Sequence, residues 1–157
     1  MVLDWKKYED KAREAVTEGI VLLKNENNVL PLEAGSKIAV FGRMQNNYYK
    51  SGTGSGGMVN VDKVWSIMDA LELEDVKINE DIRQRYLEFE KELPFNKGVG
   101  FGNEPWSQPE MPLDPKKVEE ASQESDVAIV VIGRNAGEEQ HFTYTPGAYR
   151  SDAFAVD

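Results

Sequence analysis

The chain has no cysteine and a single histidine among its 157 residues. No cysteine means no disulfide and no thiol catalysis, and a reducing compartment is permitted. One histidine and no cysteine leave no soft ligand set for a transition metal, so no metal and no cofactor is expected. Positive charge is also scarce. Eighteen Lys and Arg face twenty-eight Asp and Glu, for a net charge of −10. Nucleic-acid binding rests on Lys and Arg neutralising phosphates, so a nucleic-acid partner is not expected. No apolar run approaches the roughly twenty residues that span a bilayer, and no membrane partner is expected. The N-terminus, "MVLDWKKYEDKAREA", lacks the apolar core of a signal peptide, which points to a cytoplasmic location.

What remains is the composition of an ordinary soluble globular chain, 40% apolar and 29% charged, long enough for one domain over residues 1–157. Tyr8, Ala12, Ala15, Val16, Gly19, Ile20 and Leu23 recur at helical spacing, so Asp4 to about Lys24 reads as an amphipathic helix capped by Asp4. With its connector it fills residues 1–36. "KIAVFG" (Lys37 to Gly42) is apolar without alternation, the pattern of a strand buried on both faces of a parallel sheet. A glycine-rich loop runs from Arg43 to Gly57. Asn60 is placed to cap a helix through Val61, Val64, Trp65, Met68 and Leu71. "DVKIN" reads as a weak edge strand, and "EDIRQRYLEFEKEL" as a helix with Ile82, Tyr86, Phe89 and Leu93 on one side. Residues 94–114, broken by prolines and glycines, form an irregular loop whose Phe95, Phe101 and Trp106 suggest packing. A short helix follows from Pro115 at its first position. "SDVAIVVIG" (Ser125 to Gly133) is the strongest strand and reads as central and parallel.

The order helix, strand, helix, strand, helix, helix, strand is an α/β three-layer sandwich with a mostly parallel central sheet. Three strands are few, so the domain reads as incomplete, with an open edge that invites another copy of the chain and homo-oligomerisation.

Ligands of open α/β sheets sit outside the carboxyl ends of the strands. Two loops leave such ends. In the first, Gly52-x-Gly54-x-x-Gly57 has the spacing of a dinucleotide fingerprint, but about nine residues separate it from the strand's Gly42. A true fingerprint turns directly from strand to helix. Three readings stay open: a flavodoxin-like nucleotide cradle, a merely tight loop, or a backbone that approaches a polar uncharged ligand. For the last, Lys50, Ser51, Thr53 and Ser55 offer donors and acceptors suited to sugar hydroxyls. In the second loop, Glu138 and Glu139 lie just past a buried strand. There a carboxyl raised by desolvation serves as a general acid, while the alternative is solvated surface charge. His141 is a proton carrier, a hydroxyl ligand or incidental.

Taken in order, "AREAVTEGIVLLKNENNVLPL", "KIAVFG", "KSGTGSGG" and "SDVAIVVIGRNAGEE" resemble the α/β sandwich domain of family three glycoside hydrolases, the β-glucosidase and β-xylosidase family. The resemblance implies a retaining glycosidase acting on a β-linked glucoside or oligosaccharide. Its site is shared between two domains: a barrel supplies an aspartate nucleophile, and the sandwich supplies the acid/base glutamate. That glutamate follows Ser/Ala-Gly in similar sequences and falls on Glu138. The loop of Lys50 to Gly57 then borders the sugar, with His141 nearby. In such enzymes the two carboxyls stand about 5 Å apart. No barrel is present here, so the chain is expected to be inactive alone and to need that domain as a partner. It looks like the front of a member with the sandwich first, or a truncated chain. The family's Asp-Arg and Gly-Asp positions read His141-Phe142 and Gly147-Ala148. A carbohydrate- or partner-binding module without catalysis is the alternative.

Overall fold

Four consecutive residues, Ile38 to Phe41, are buried, and this decides the architecture: a strand covered on both faces must be the middle of the sheet. In the computed structural model, which describes residues 3–48, 61, 63–97 and 108–133, that strand is β1, Lys37–Phe41. It is flanked by β2, Lys77–Ile78, and β3, Val127–Val130, in the order β2-β1-β3, both parallel to it. The register sets Ile38 beside Ile78 on one side, and Ile38 beside Val127 through Phe41 beside Val130 on the other. The chain is an α/β fold as its element order implies.

The structure divides into two compact units, Met1–Glu33 and Ala34–Asp157. In the first, helix α1 (Trp5–Gly19) begins at Asp4, whose side chain accepts a hydrogen bond from the Lys7 amide at 3.1 Å. The helix stops at Gly19, short of the Lys24 expected from periodicity. Glycine is a poor helix former, and the β-branched Ile20 that follows is already extended. No residue of α1 is buried. After it, the side chain of Asn25 brackets Leu30, donating to its carbonyl at 2.8 Å and accepting from its amide at 3.1 Å.

In the second unit, β1 leads to helix α2 (Ile67–Leu71), then β2, helix α3 (Glu80–Glu92), helix α4 (Pro115–Glu124) and β3. Ala39 and Phe41 pack against Ile82 and Tyr86 of α3 and Ala121 of α4. Ile38 and Val40 alternate to the opposite face and are buried there. The crossover from β1 to β2 and that from β2 to β3 run in opposite directions across the sheet, so right-handedness assigns α2 to that opposite face and gives three layers.

At the amino-terminal rim, Asn79 does three jobs. Its amide donates to the Ile38 carbonyl, its side chain accepts from the Ile82 amide to cap α3, and its Nδ2 donates to Ser125 Oγ. Asp126 joins the same rim, accepting the Lys37 amide at 2.8 Å. Asp114 caps α4, with Pro115 at the first turn as expected.

Two expectations are corrected. The helix read from Val61 begins at Ile67, because Ser66 and Asp69 close a capping box there; Val61 and 63–66 are not helical, and Asn60 lies outside the described residues. β3 is not central but an edge strand among the described residues. Its burial alternates, with Val130 66% and Ile132 62% exposed.

The capping box is a compact test of this half of the fold. Ser66 accepts the Asp69 amide at 3.1 Å, and Asp69 accepts both the amide and the hydroxyl of Ser66. A hydrogen bond from Lys63, then those from Ser66, hold the Asp69 carboxyl well below the usual carboxylate range. Ser66→Ala is expected to lower unfolding stability by about 1 kcal/mol at neutral pH, measured by urea denaturation. An unchanged midpoint would show that α2 does not depend on its cap.

Candidate active-site rim

The carboxyl ends of β1 and β3 are neighbours, Phe41 beside Val130, and the ladder extends one step further through the Val131 amide to the Phe41 carbonyl at 2.8 Å. The chain therefore leaves toward the glycine-rich loop and toward Glu138 from adjacent points on one rim. Lys50, Ser51, Thr53, Ser55, Glu138 and His141 themselves lie outside the described residues.

The turn beyond β1 is tied down residue by residue. Gly42 has a φ of +96°, a conformation that side chains disfavour. A Cβ there would also lie 2.2 Å from the Val131 carbonyl oxygen, so glycine is required twice over. The Gly42 amide donates to the Tyr86 hydroxyl at 2.7 Å. That hydroxyl is hydrogen-bonded in turn to Glu110. Glu110 also accepts the Arg43 amide at 2.9 Å and the Met111 amide at 2.8 Å. A single 3-10 turn, Arg43–Gln45, follows. Gln45, 1% exposed, folds back to donate to the carbonyls of Val40 and Gly42. Asn46 and Asn47 both donate to Glu90 Oε1, at 3.1 and 3.0 Å. Tyr48 takes a hydrogen bond from the Ile67 backbone.

Arg43 is the least expected member. Its side chain is 1% exposed, and its guanidinium donates to the carbonyls of Pro109 at 2.8 Å and Leu93 at 3.1 Å. The rings of Phe89 and Phe95 lie 5.3 and 5.7 Å from its central carbon. Its Nε has no partner among the described residues. A buried cation needs such replacement for water, here by carbonyl dipoles and ring faces. Arg43 thereby pins the ends of the irregular 94–114 stretch to the rim. A reciprocal pair closes its neck: the Asn96 amide donates to Gln108 Oε1 at 3.0 Å, and Gln108 Nε2 donates to the Asn96 carbonyl at 2.7 Å. Phe95 packs as its sequence suggests; Phe101 and Trp106 lie outside the described residues.

The sequence did not disclose Arg43, Gln45, Tyr86, Glu90 or Glu110 as rim residues. Tyr86 reads as core, and Glu90 and Glu110 are two acids in an acidic chain. Only the position of Arg43 and Gln45 directly after a buried strand hints at their place. Directly after β1 there is a 3-10 turn rather than the helix amino-terminus that a fingerprint needs, and Gly52, Gly54 and Gly57 lie outside the described residues. Among the described residues no group of three acidic or histidine side chains is placed to hold a metal ion.

A family model, the glycosyl hydrolase family 3 C-terminal domain, matches residues 20–153. A β-glucosidase of Ruminococcus albus is 52% identical over 147 residues, covering 94% of this chain and 15% of that protein. β-Glucosidase A of Butyrivibrio fibrisolvens is 34% identical over 127 residues, covering 80% of this chain and again 15% of the relative. Among solved structures, a β-glucosidase from Paenibacillus barengoltzii aligns with a TM-score of 0.81 at 46% identity, over 89% of this chain and 15% of that one. β-Glucosidase 3B from Thermotoga neapolitana, in complex with glucose, aligns with a TM-score of 0.74 at 33% identity, over 87% of this chain and 19% of that one. The chain thus spans about 15% of the length of the curated relatives it matches.

Burial first, and then the charge and hydrogen bond of Glu110, push the Tyr86 phenol up from 10.0 to about 12. The folded state therefore holds this proton more tightly than the unfolded chain does. Its contribution is complete below pH 10 and is lost as pH rises toward 12. Denaturation midpoints across that window should fall more steeply for the wild type than for Tyr86→Phe, which is less stable at neutral pH by about 1 kcal/mol. Parallel slopes for the two proteins would mean that Tyr86 does not hold its proton in this way.

Proposed function

The chain belongs to glycosyl hydrolase family 3, of which it is a C-terminal-type domain, and from that premise we propose that it is one part of a retaining β-glucosidase. In this reading the chain supplies the general acid/base, Glu138, and one wall of the sugar site, and a separate barrel domain supplies the carboxylate nucleophile. The observation that carries the proposal is the adjacency of the β1 and β3 carboxyl ends, Phe41 beside Val130. It lets a hydrogen-bonding loop and an acid-bearing loop start from one rim. Lys50, Ser51, Thr53, Ser55 and His141 are the candidate contacts to sugar hydroxyls. The names of the relatives support a β-linked glucoside as substrate.

The chemistry needs both parts. The Glu138 carboxyl gives its proton to the departing glycosidic oxygen while the nucleophile takes the anomeric carbon. Glu138, now a carboxylate, then removes a proton from the water that releases the sugar. Without a nucleophile the covalent intermediate cannot form, so the isolated chain is inactive.

The test combines this chain with the barrel domain of its polypeptide, in one chain or mixed, and follows hydrolysis of an aryl β-glucoside. Hydrolysis is expected only from the combination, and Glu138→Gln should reduce turnover by about 100- to 10,000-fold. Full activity of Glu138→Gln, with sugar binding retained, would instead favour a carbohydrate-binding module that does no proton transfer.

A further inference from the structure

The segment that leads from β3 toward Glu138 is held at two points by the turn beyond β1. The Val131 carbonyl sits over Gly42 so closely that a Cβ on that glycine would fall 2.2 Å from the oxygen. Two residues on, Met44 covers Gly133. A Cβ on Gly133 would lie 2.5 Å from Met44 Cγ, 2.9 Å from its Cε and 3.2 Å from its Cβ. The second contact falls on the last described residue of that segment, five positions before Glu138.

Methionine is a flexible side chain, so its value as a constraint depends on what holds its backbone. Here the backbone has little freedom. The residues on either side, Arg43 and Gln45, are each 1% exposed. Arg43 is fixed through both its amide and its guanidinium, to Glu110, Pro109 and Leu93. Gln45 returns to Val40 and Gly42. The Met44 side chain therefore projects from a locked turn onto a bare backbone, and the absence of a side chain at Gly133 is what admits it.

We propose that Met44 is a positioning residue: seated on Gly133, it sets the direction in which the chain leaves β3 and so the placement of the Glu138 carboxyl against the leaving oxygen. This rests on the reading of Glu138 as acid/base. Met44 touches no reacting atom. It acts through the course of the backbone, and the buried side chains of Arg43, Gln45 and Tyr86, with the exposed Glu110 that accepts the Arg43 amide, support it.

Leaving-group dependence separates this role from general damage. A phenyl glucoside needs its departing oxygen protonated, whereas a 2,4-dinitrophenyl glucoside departs without a proton. The ratio of their kcat/KM values, which reports the first bond-breaking step, therefore reads the acid alone. In the protein carrying both domains, Gly133→Ala is expected to lower kcat/KM for the phenyl substrate about 100-fold, the scale of an ångström-sized misplacement. The dinitrophenyl value should be unchanged. Adding Met44→Ala to Gly133→Ala removes the clash and should recover most of the loss, and Met44→Leu alone should keep the ratio of the wild type. Equal losses on both substrates, an unaffected phenyl rate, or a double variant as slow as Gly133→Ala would each overturn the proposal. Glu138→Gln is read separately on the same two substrates. If it shows no leaving-group-dependent loss, the acid/base reading itself fails and takes this inference with it.

Discussion

The rest of the rim depends on one backbone group, the amide of Gly42. It emerges from a buried strand with no strand partner of its own and is satisfied by the Tyr86 hydroxyl at 2.7 Å. An unpaired amide at a part-buried position costs free energy, and the tyrosine removes that cost by reaching across from α3. The same hydroxyl is bonded to Glu110, and Glu110 takes the next amide, that of Arg43. One helix and one irregular segment thus meet at two consecutive peptide groups of β1's exit. Gly42 can turn there only because its φ is +96° and because no Cβ opposes the Val131 carbonyl. A substitution at this point would disturb the turn, the β3 extension and the base of the 94–114 stretch together.

This arrangement resolves a tension general to α/β sites. The residues that contact ligand belong on loops, yet their geometry has to be held to a fraction of an ångström. Here the loops start from fixed points: the buried Arg43, Gln45 and Tyr86, together with the more exposed Glu90 and Glu110, hold the first residues beyond β1, and the neck of the 94–114 stretch is closed by an amide pair. Arg43 is the costly element. A guanidinium held by two carbonyls and two rings, with no partner for Nε among the described residues, is a poor stabiliser. It does join three segments distant in sequence, so geometric specification is its evident contribution.

How much of this the sequence disclosed depends on the kind of signal. β1 was legible because burial on both faces leaves an unbroken apolar run, and α4 because Asp114 and Pro115 carry their roles locally. The end of α1 at Gly19 was missed because apolar periodicity runs on through Ile20 and Leu23, whereas the helix has ended and Ile20 is already extended. The start of α2 was misplaced because Val61 and Val64 fit a helical period, whereas the reciprocal Ser66–Asp69 cap decides where the helix begins. The polar partners of the rim were not legible at all. Tyr86 pairs with Gly42 across 44 positions and Arg43 with Glu110 across 67, and no local rule reports such contacts. The family, by contrast, was legible, because motifs in a fixed order carry information that no single spacing does.

β3 shows what an apolar run does and does not specify. Its sequence is that of a strand covered on both sides, yet Val130 and Ile132 are largely exposed. Val130 shares a face with its register partner Phe41, the face on which α3 and α4 lie. Among the described residues those helices cover Phe41 and do not reach the outer edge. The crossover from β2 to β3 already runs toward that edge on that face. The run in "VAIVVI" thus encodes the cover a strand requires, and position in the sheet follows from the neighbours that provide it.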